Sequence, residues 1–187
     1  MRKAPVMSIA RAAAAVCFLA LVQPPPAAAS GISIYSYEPL SPEAKVLTRT
    51  GLSFEFEKGL LGGVRVERVV QTGDRGSAGL RPASEAALGP GGLRTALGVA
   101  HPAGPLYEIL PPGDGKAFIN AVCPGAERAW LLIGRLERFK DLELQAVGRA
   151  PGAGSVHVCS TMTFSFHSDW RLPDSDLPPA HLTGGRS

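Results

Sequence analysis

Hydrophobic and polar positions alternate most regularly between residues 155 and 170, which read SVHVCSTMTFSFHSDW. A period of two places alternate side chains on opposite faces of a β-strand. One face carries Val156, Val158, Ser160, Met162, Phe164 and Phe166, and the other carries His157, Cys159, Thr161, Thr163, Ser165 and His167. The pattern predicts a strand with one core face and one polar face, and it places both histidines and the cysteine on the polar face.

The second half of the chain contains five strand-like runs separated by turn-forming sequences. The runs are LYEIL, KAFINAVC, RAWLLIGRL, LELQAV and SVHVCSTMTFSF, with turns such as PPGDG and GRAPGAG between them. This spacing is typical of antiparallel β structure. The segment AWLLIG is apolar on both faces, so we expect that strand to lie centrally.

The first half predicts a strand, a short helix and a hairpin. ISIYSYE, residues 32–38, is rich in β-branched and aromatic residues, which favour a strand. In SPEAKVLTRTG, Ser41 is a suitable helix cap and Pro42 suits the first helical position. LSFEFE and VRVERVV then alternate around the glycine-containing turn KGLLGG, which predicts a hairpin.

Residues 72–105 are rich in Gly, Pro, Ala and Arg and show one helical turn at SEAAL, residues 84–88. A simple connection of that length is unusual in a compact domain. We expect a partly ordered loop that is available for binding, and the alternative is a strand around LRTALGVA. The overall prediction is an all-β, mainly antiparallel single domain, either a sandwich or a partly closed barrel, with at most one or two short helices.

The N-terminal thirty residues resemble a secretory signal peptide, with basic residues ahead of the apolar run AAAAVCFLALV and small residues in PAAAS. We expect a signal peptide at 1–29, an exported β-rich domain at 30–170 and a flexible tail at 171–187. A retained anchor is disfavoured by the prolines in VQPPPAAAS. Cys17 lies inside the apolar run rather than at its end, so we do not expect lipidation.

Removal of the leader changes the charge balance. Three of the 19 basic residues lie in the leader, which leaves 16 against 16 acidic residues. A neutral chain gives no indication of the positively charged surface that nucleic-acid binding requires. The sequence therefore predicts a secreted or periplasmic protein that does not bind nucleic acid and has no stable membrane span after cleavage.

Cys123 and Cys159 are the cysteines that remain after cleavage. An oxidising compartment favours a disulfide between them, and closing a loop of this size stabilises the fold by about 4 kcal/mol in the chain-entropy estimate. Because Cys159 falls on the polar face, we expect the bond to join neighbouring strands of one sheet. The alternative is a bulge near Ser160 that shifts the alternation.

Metal binding has weak support in the sequence. His157 and His167 are about 33 Å apart on a regular strand, so they cannot share an ion, and His-x-Cys alone is not specific. His101 and Cys123 could add ligands only through the fold. We expect no metal and no cofactor.

Catalytic motifs are also absent from the sequence. It has no G-x-S-x-G, H-E-x-x-H or S-x-x-K, and Ser165, His167 and Asp169 would spread over about 13 Å on a strand. Glu55 and Glu57 share one side of a strand, as alternating polar residues commonly do. We assign no catalytic residue.

A binding function is the leading hypothesis. Tyr35, Tyr37, His157 and Trp170 are candidates for a binding surface. We expect a non-enzymatic envelope protein that binds a protein partner or a small ligand through residues 72–105 or a sheet surface. The alternatives are an envelope hydrolase whose site assembles in three dimensions, and a barrel that carries an apolar ligand in its interior.

Overall fold

A computed structural model describes residues 31–59, 63–72, 76–98 and 104–172. The predicted signal peptide and most of the predicted tail lie outside these residues, as do Cys17 and His101. The described chain forms a closed barrel in which each strand pairs antiparallel with the next and β8 pairs with β1. The strands are β1 (Ser33–Pro39), β2 (Leu52–Lys58), β3 (Val64–Gln71), β4 (Ser77–Ala83), β5 (Leu106–Ile109), β6 (Arg128–Ile133), β7 (Leu142–Arg149) and β8 (His157–Arg171).

The all-β antiparallel prediction is therefore confirmed, and the sheet closes completely. The closing strands bring the ends of the domain together: Ser33 is paired with Arg171, and the backbone N–H of Leu172 donates to the carbonyl of Ile32 at 3.1 Å. Closure leaves no free edge at this seam, which is how barrels avoid edge-to-edge association.

Three short α-helices and one 3₁₀ turn are present in the described residues, where the sequence predicted at most one or two helices. They are α1 (Pro42–Leu47), α2 (Gly92–Leu97), α3 (Gly115–Val122) and the 3₁₀ turn Glu85–Leu88. Among the described helices, none is long and apolar enough to cross a membrane. The cap of α1 is as predicted, because the hydroxyl of Ser41 accepts a hydrogen bond from the backbone N–H of Ala44 at 3.2 Å.

The strand predicted at KAFINAVC is wrong, because these residues form most of α3. Phe118, Ile119 and Val122 are buried on one face of that helix, which is the i, i+1, i+4 spacing of a helical stripe. An apolar run of this length is ambiguous between strand and helix. Here the helix is selected by its apolar face, which packs into the main core.

The loop predicted at residues 72–105 is wrong in its first part, which forms β4. The helical turn predicted at SEAAL is present as the 3₁₀ turn Glu85–Leu88. Helix α2 follows, so LRTALGVA does not form the alternative strand. In β4 only Ala78 and Leu80 are buried. Gly79 and Pro82 interrupt the strand pattern, since both residue types are depleted in strands.

Two hydrophobic clusters hold the fold together. The main core fills the barrel interior and extends to α1 and α3. A smaller outer cluster covers the outside of β5, β6 and β7, and the 3₁₀ turn and α2 contribute Leu88 and Leu93 to it. As a result β6 is buried on both faces, with Leu131 in the main core and Trp130 in the outer cluster, which explains why AWLLIG is apolar on both faces. The predicted central position does not distinguish this strand, because every strand of a closed barrel has two neighbours.

The two ends of the barrel differ. Helices α1 and α3 connect β1 to β2 and β5 to β6, so both lie at one end, which we call the closed end. The buried apolar side chains of both helices belong to the interior cluster. The opposite end, where β3 and β5 begin and β6 ends, is called the mouth.

Candidate functional site at the barrel mouth

An apolar cavity of about 300 Å³ opens at the mouth. It is lined by Val64, Val66, Pro105, Tyr107, Ile133, Gly134, Arg135 and Leu136. These residues come from β3, from β5 and the residue before it, and from the end of β6 and the segment that follows. The cavity is therefore built by three strands and one connection, all at the end without α1 and α3.

The cavity lies where the barrel wall is incompletely hydrogen-bonded. Strand β3 pairs with β4 only over Arg68–Val70, and its first part, Val64–Glu67, has no β4 partner in this register. Tyr107 crosses this gap, because its hydroxyl accepts a hydrogen bond from the backbone N–H of Val66 at 3.1 Å. A register shift between β2 and β3 leaves Glu67 as an extra residue, and such bulges are common at barrel rims.

Aromatic side chains line the barrel next to the cavity. Phe56, which is paired with the cavity residue Val66, packs edge-on against Tyr35 with ring centroids 4.7 Å apart. Phe166 lies 5.8 Å from Tyr35 and 5.3 Å from Phe139. These edge-to-face pairs are the favoured arrangement of aromatic rings, and they continue the apolar wall from the interior to the rim.

Phe139 is unusual for an aromatic residue, because 81% of it is exposed and its backbone has φ +60°. A bulky residue in this left-handed region is strained, and such strain is often found at functional sites. The connection Gly134–Asp141 thus places an exposed aromatic ring beside the mouth.

Lysine 58 supplies positive charge at the rim. It pairs with the cavity residue Val64 in the β2–β3 hairpin, its amine contacts the Tyr35 hydroxyl at 3.3 Å, and it lies 5.5 Å from the Tyr35 ring centroid. Within the described residues, no carboxylate lies within ion-pair distance of this amine.

Two arginines complete the rim. Arg135 is 85% exposed at its side chain and contacts Glu137 at 3.4 Å. Arg138 pairs with Asp169, whose hydrogen bond and charge raise the pKa of the guanidinium. This pair ties the Gly134–Asp141 connection to β8.

Deeper in the barrel, Tyr37 is fully buried, and among the described residues its hydroxyl has no hydrogen-bond partner. Burial raises the pKa of this phenol far above its ordinary value, and the charges of Tyr35 and Glu137 add to the effect. The group is therefore neutral at all physiological pH values and offers an unused hydrogen-bonding group in the interior.

Comparison of the chain with protein-family models, curated proteins and solved structures found no match.

The four residues predicted as a binding surface do not meet in the structure. Tyr35 and Tyr37 point into the barrel and are buried, whereas Trp170 is 62% exposed at the far end of β8. His157 begins β8 at the closed end. Tyr35 contacts Lys58 at the rim, and Trp170, paired with Ile34, lies at the mouth end of β8.

The candidate catalytic residues do not assemble either. Asp169 pairs with Arg138, and His167 Nδ1 lies 3.0 Å from Glu38 Oε1 on the exposed surface. No hydrogen bond joins Ser165 to His167 in the described part of the chain. Glu55 and Glu57 face arginine partners on β3, Arg68 and Arg65.

The closed end holds the two cysteines, whose geometry fits the predicted disulfide, with Cα atoms 5.0 Å apart. The bond does not join neighbouring strands, because Cys123 follows α3. Instead the bulge alternative is confirmed: the register of β7 and β8 shifts so that Cys159 is an extra residue between Val158 and Ser160. The polar-face assignment of His157 and Cys159 was therefore wrong, since both reach the side of Cys123.

Sequence reasoning missed the residues of the mouth. Lys58 and Val64 were recognised as parts of a hairpin, and Tyr107 as part of a strand, but nothing in their spacing relates one to the other. Tyr107 meets Val66 only because the barrel closes and β4 falls short of β3. The contact between Tyr107 and Val66 depends on the closed barrel, and the local sequence around either residue does not indicate it.

Proposed function

We propose that this protein binds a small amphipathic molecule, with an apolar body and an anionic head group, at the mouth of the barrel. The observation that supports this function best is an apolar cavity at one end of a barrel whose other end is covered by two helices. Binding, rather than catalysis, is the activity that these side chains serve.

The size and lining of the cavity define the apolar part of the ligand. A volume of about 300 Å³ is at the lower end of the range of about 300–1,000 Å³ for small-molecule sites. Val64, Ile133 and Leu136 supply aliphatic surface, and the interior beyond is filled by buried side chains. The site therefore suits a short alkyl chain or a single ring system, not a long lipid.

The rim defines the head group. Lys58 has no carboxylate partner among the described residues, and Arg135 lines the cavity while its side chain is largely exposed. Lys58 is paired with the cavity residue Val64, and Arg135 lines the cavity itself. A carboxylate, sulfonate or phosphate at the rim would therefore be attracted by both positive charges, while the rest of the ligand displaces water from the apolar wall.

The place of action follows from the sequence expectation of a leader peptide. A protein exported to the periplasm or secreted would carry or sequester such a molecule in the cell envelope or outside the cell. A protein partner is the other hypothesis derived from the sequence, and the exposed ring of Phe139 beside the mouth is where it would make contact.

Ligand binding is tested with an anionic naphthalene sulfonate dye, whose fluorescence rises in apolar sites. We expect saturable binding to the native barrel and displacement by decanoate. Val64→Trp fills the cavity and should weaken dye binding at least about tenfold, which corresponds to about 1.4 kcal/mol. Leu40→Trp, which adds the same ring to an exposed position at the closed end, is the control and should not change the affinity.

The head-group preference is tested by comparing decanoate with decanol. The wild-type protein should bind the carboxylate more tightly, and Lys58→Met should remove most of that difference. Lys45→Met, a change of an exposed lysine in α1, should leave this difference unchanged.

In the dye experiment, equal affinity of the wild-type and Val64→Trp proteins would refute the proposed site.

A further inference from the structure

Three metal-ligating side chains converge at the closed end of the barrel. Cys123 directly follows α3, and His157 and Cys159 lie at the start of β8. The donor atoms of these three residues all lie within 4.8 Å of one another, and Cys123 Sγ is 4.0 Å from His157 Nε2.

Two local features bring these groups together. The β8 bulge at Cys159 directs its sulfur toward α3. Gly148, which is paired with His157, leaves the space that the sulfurs occupy: a Cβ at this position would overlap Cys123 Sγ and stand 2.9 Å from Cys159 Sγ. Any other residue at position 148 would fill the space between the donors.

We propose that the reduced form of this cluster binds one Zn²⁺ ion through the two thiolates and the His157 imidazole. Three protein ligands leave the fourth tetrahedral position for water or an external ligand. The ion and the disulfide are alternatives, because the sulfurs of a disulfide are no longer thiolates. The end of α3 is then tied to β8 by a covalent bond in one state and by a metal ion in the other.

The change of state begins with a dithiol reductant. One thiolate of the reductant attacks a sulfur of the Cys123–Cys159 bond and forms a mixed disulfide. Its second thiolate resolves this intermediate, so the reductant leaves as its own disulfide and the protein gains two electrons and two protons. Zinc binding then releases those two protons as the thiols become thiolates.

The separations in the cluster fit zinc coordination. Bonds of about 2.3 Å to sulfur and about 2.0 Å to nitrogen place tetrahedral donors about 3.5–3.8 Å apart. The distance from Cys123 Sγ to His157 Nε2, 4.0 Å, is already close to this range. After reduction the two sulfurs need only separate by side-chain rotation.

Access to the cluster is one-sided. Cys123 is fully buried, Cys159 is partly buried and His157 is exposed. An ion would therefore enter past the imidazole and meet the thiolates behind it. An exposed ligand at the entrance and two sheltered thiolates are suited to an exchangeable ion.

The test uses the full chain with Cys17→Ser, so that no third thiol competes. The protein is reduced with a phosphine without oxygen and titrated with Co²⁺, a spectroscopic substitute for Zn²⁺. We expect one equivalent to produce a thiolate-to-cobalt charge-transfer band that Zn²⁺ then abolishes. The oxidised protein should give no band. Absence of the band in the reduced protein would overturn the proposal.

Variants identify the histidine. His157→Ala should weaken Co²⁺ binding at least about tenfold, whereas His167→Ala, a change of another exposed histidine on β8, should have no effect. Equal affinity of His157→Ala and wild type would also overturn the proposal. Zn²⁺ should also raise the melting temperature of the reduced wild type, because the ion binds the folded protein, and no rise would count against the site.

Discussion

The hydroxyl of Tyr107 accepts a hydrogen bond from the backbone N–H of Val66 at 3.1 Å, across the part of the barrel wall where β3 and β4 are not paired. Val66 is 1% exposed and Tyr107 is 2% exposed, so the N–H of Val66 would remain buried and unsatisfied without this hydroxyl. The side chain of Tyr107 thus replaces a backbone hydrogen bond that β3 and β4 do not form at this position, and it also lines the cavity.

Tyr107→Phe should destabilise the barrel by about 1–3 kcal/mol, because a buried N–H loses its partner. Tyr37→Phe is the matched control, since it removes a buried hydroxyl that has no partner among the described residues, and we expect it to be neutral or stabilising. Urea unfolding of both variants measures the difference. Equal losses for the two variants would show that the Val66–Tyr107 bond does not carry this energy.

Gly148→Ala should destabilise the protein by about 1–3 kcal/mol through overpacking, since the added methyl group overlaps the sulfur of Cys123. Gly154→Ala is the control, because a Cβ there meets nothing within 4 Å, and its effect should stay within about 0.5 kcal/mol. Thermal unfolding of the oxidised proteins distinguishes them. A silent Gly148→Ala would mean that the space beside the disulfide is larger than the structure shows.

Loss of the disulfide should lower the free energy of unfolding by about 4 kcal/mol, the chain-entropy estimate for a loop of 36 residues. The double variant Cys123→Ala/Cys159→Ala tests this without burying a new polar group. Wild-type protein reduced in metal-free buffer should lose a similar amount, whereas Cys17→Ser should lose nothing. A double variant as stable as the oxidised wild type would show that the packing of α3 is enough to stabilise the closed end without the disulfide.

The carboxylate of Glu108 contacts two arginines, Arg81 at 2.6 Å and Arg128 at 3.0 Å. Burial favours its neutral form, but the hydrogen bonds and charges of the arginines outweigh burial and hold the pKa of Glu108 below its ordinary value of 4.5. A depressed pKa contributes stability above pH 4.5, and that contribution is lost as the pH falls through the lowered value.

Glu108→Gln should therefore cost about 1–2 kcal/mol at pH 7, and the gap to wild type should narrow as the solution is acidified below pH 4.5. Denaturant unfolding at several pH values measures both quantities. Glu57→Gln, which removes an exposed partner of Arg65, should change stability little at any pH. A gap that does not depend on pH would contradict the lowered pKa.

Regular alternation made much of the barrel predictable from the sequence. Alternation with a period of two predicts strands that have one apolar and one polar face. Strand β2 is an example, with Leu52, Phe54 and Phe56 buried. The helix cap at Ser41 is predictable for the same reason. Strand alternation and helix capping both depend on residues a few positions apart, so a short stretch of sequence is enough to predict them.

The errors arose where tertiary packing decides between local alternatives. The apolar residues of α3 suit a strand or a helix, and the barrel end that receives Phe118 selects the helix. In β4 a glycine and a proline weaken the strand pattern, and pairing with β3 and β5 overrides them. The cavity and the Cys–His cluster join residues from distant parts of the sequence, so no short motif could report them.

The seam between β1 and β8 means that the ends of the folded domain are neighbours, with Ile32 hydrogen-bonded to Leu172. The strand at which the chain begins is therefore not essential to the architecture, provided that the cyclic order of the strands is kept. A circular permutant that joins residue 32 to residue 172 and opens the turn between β7 and β8 would begin with the disulfide-bearing strand and should rebuild the same barrel.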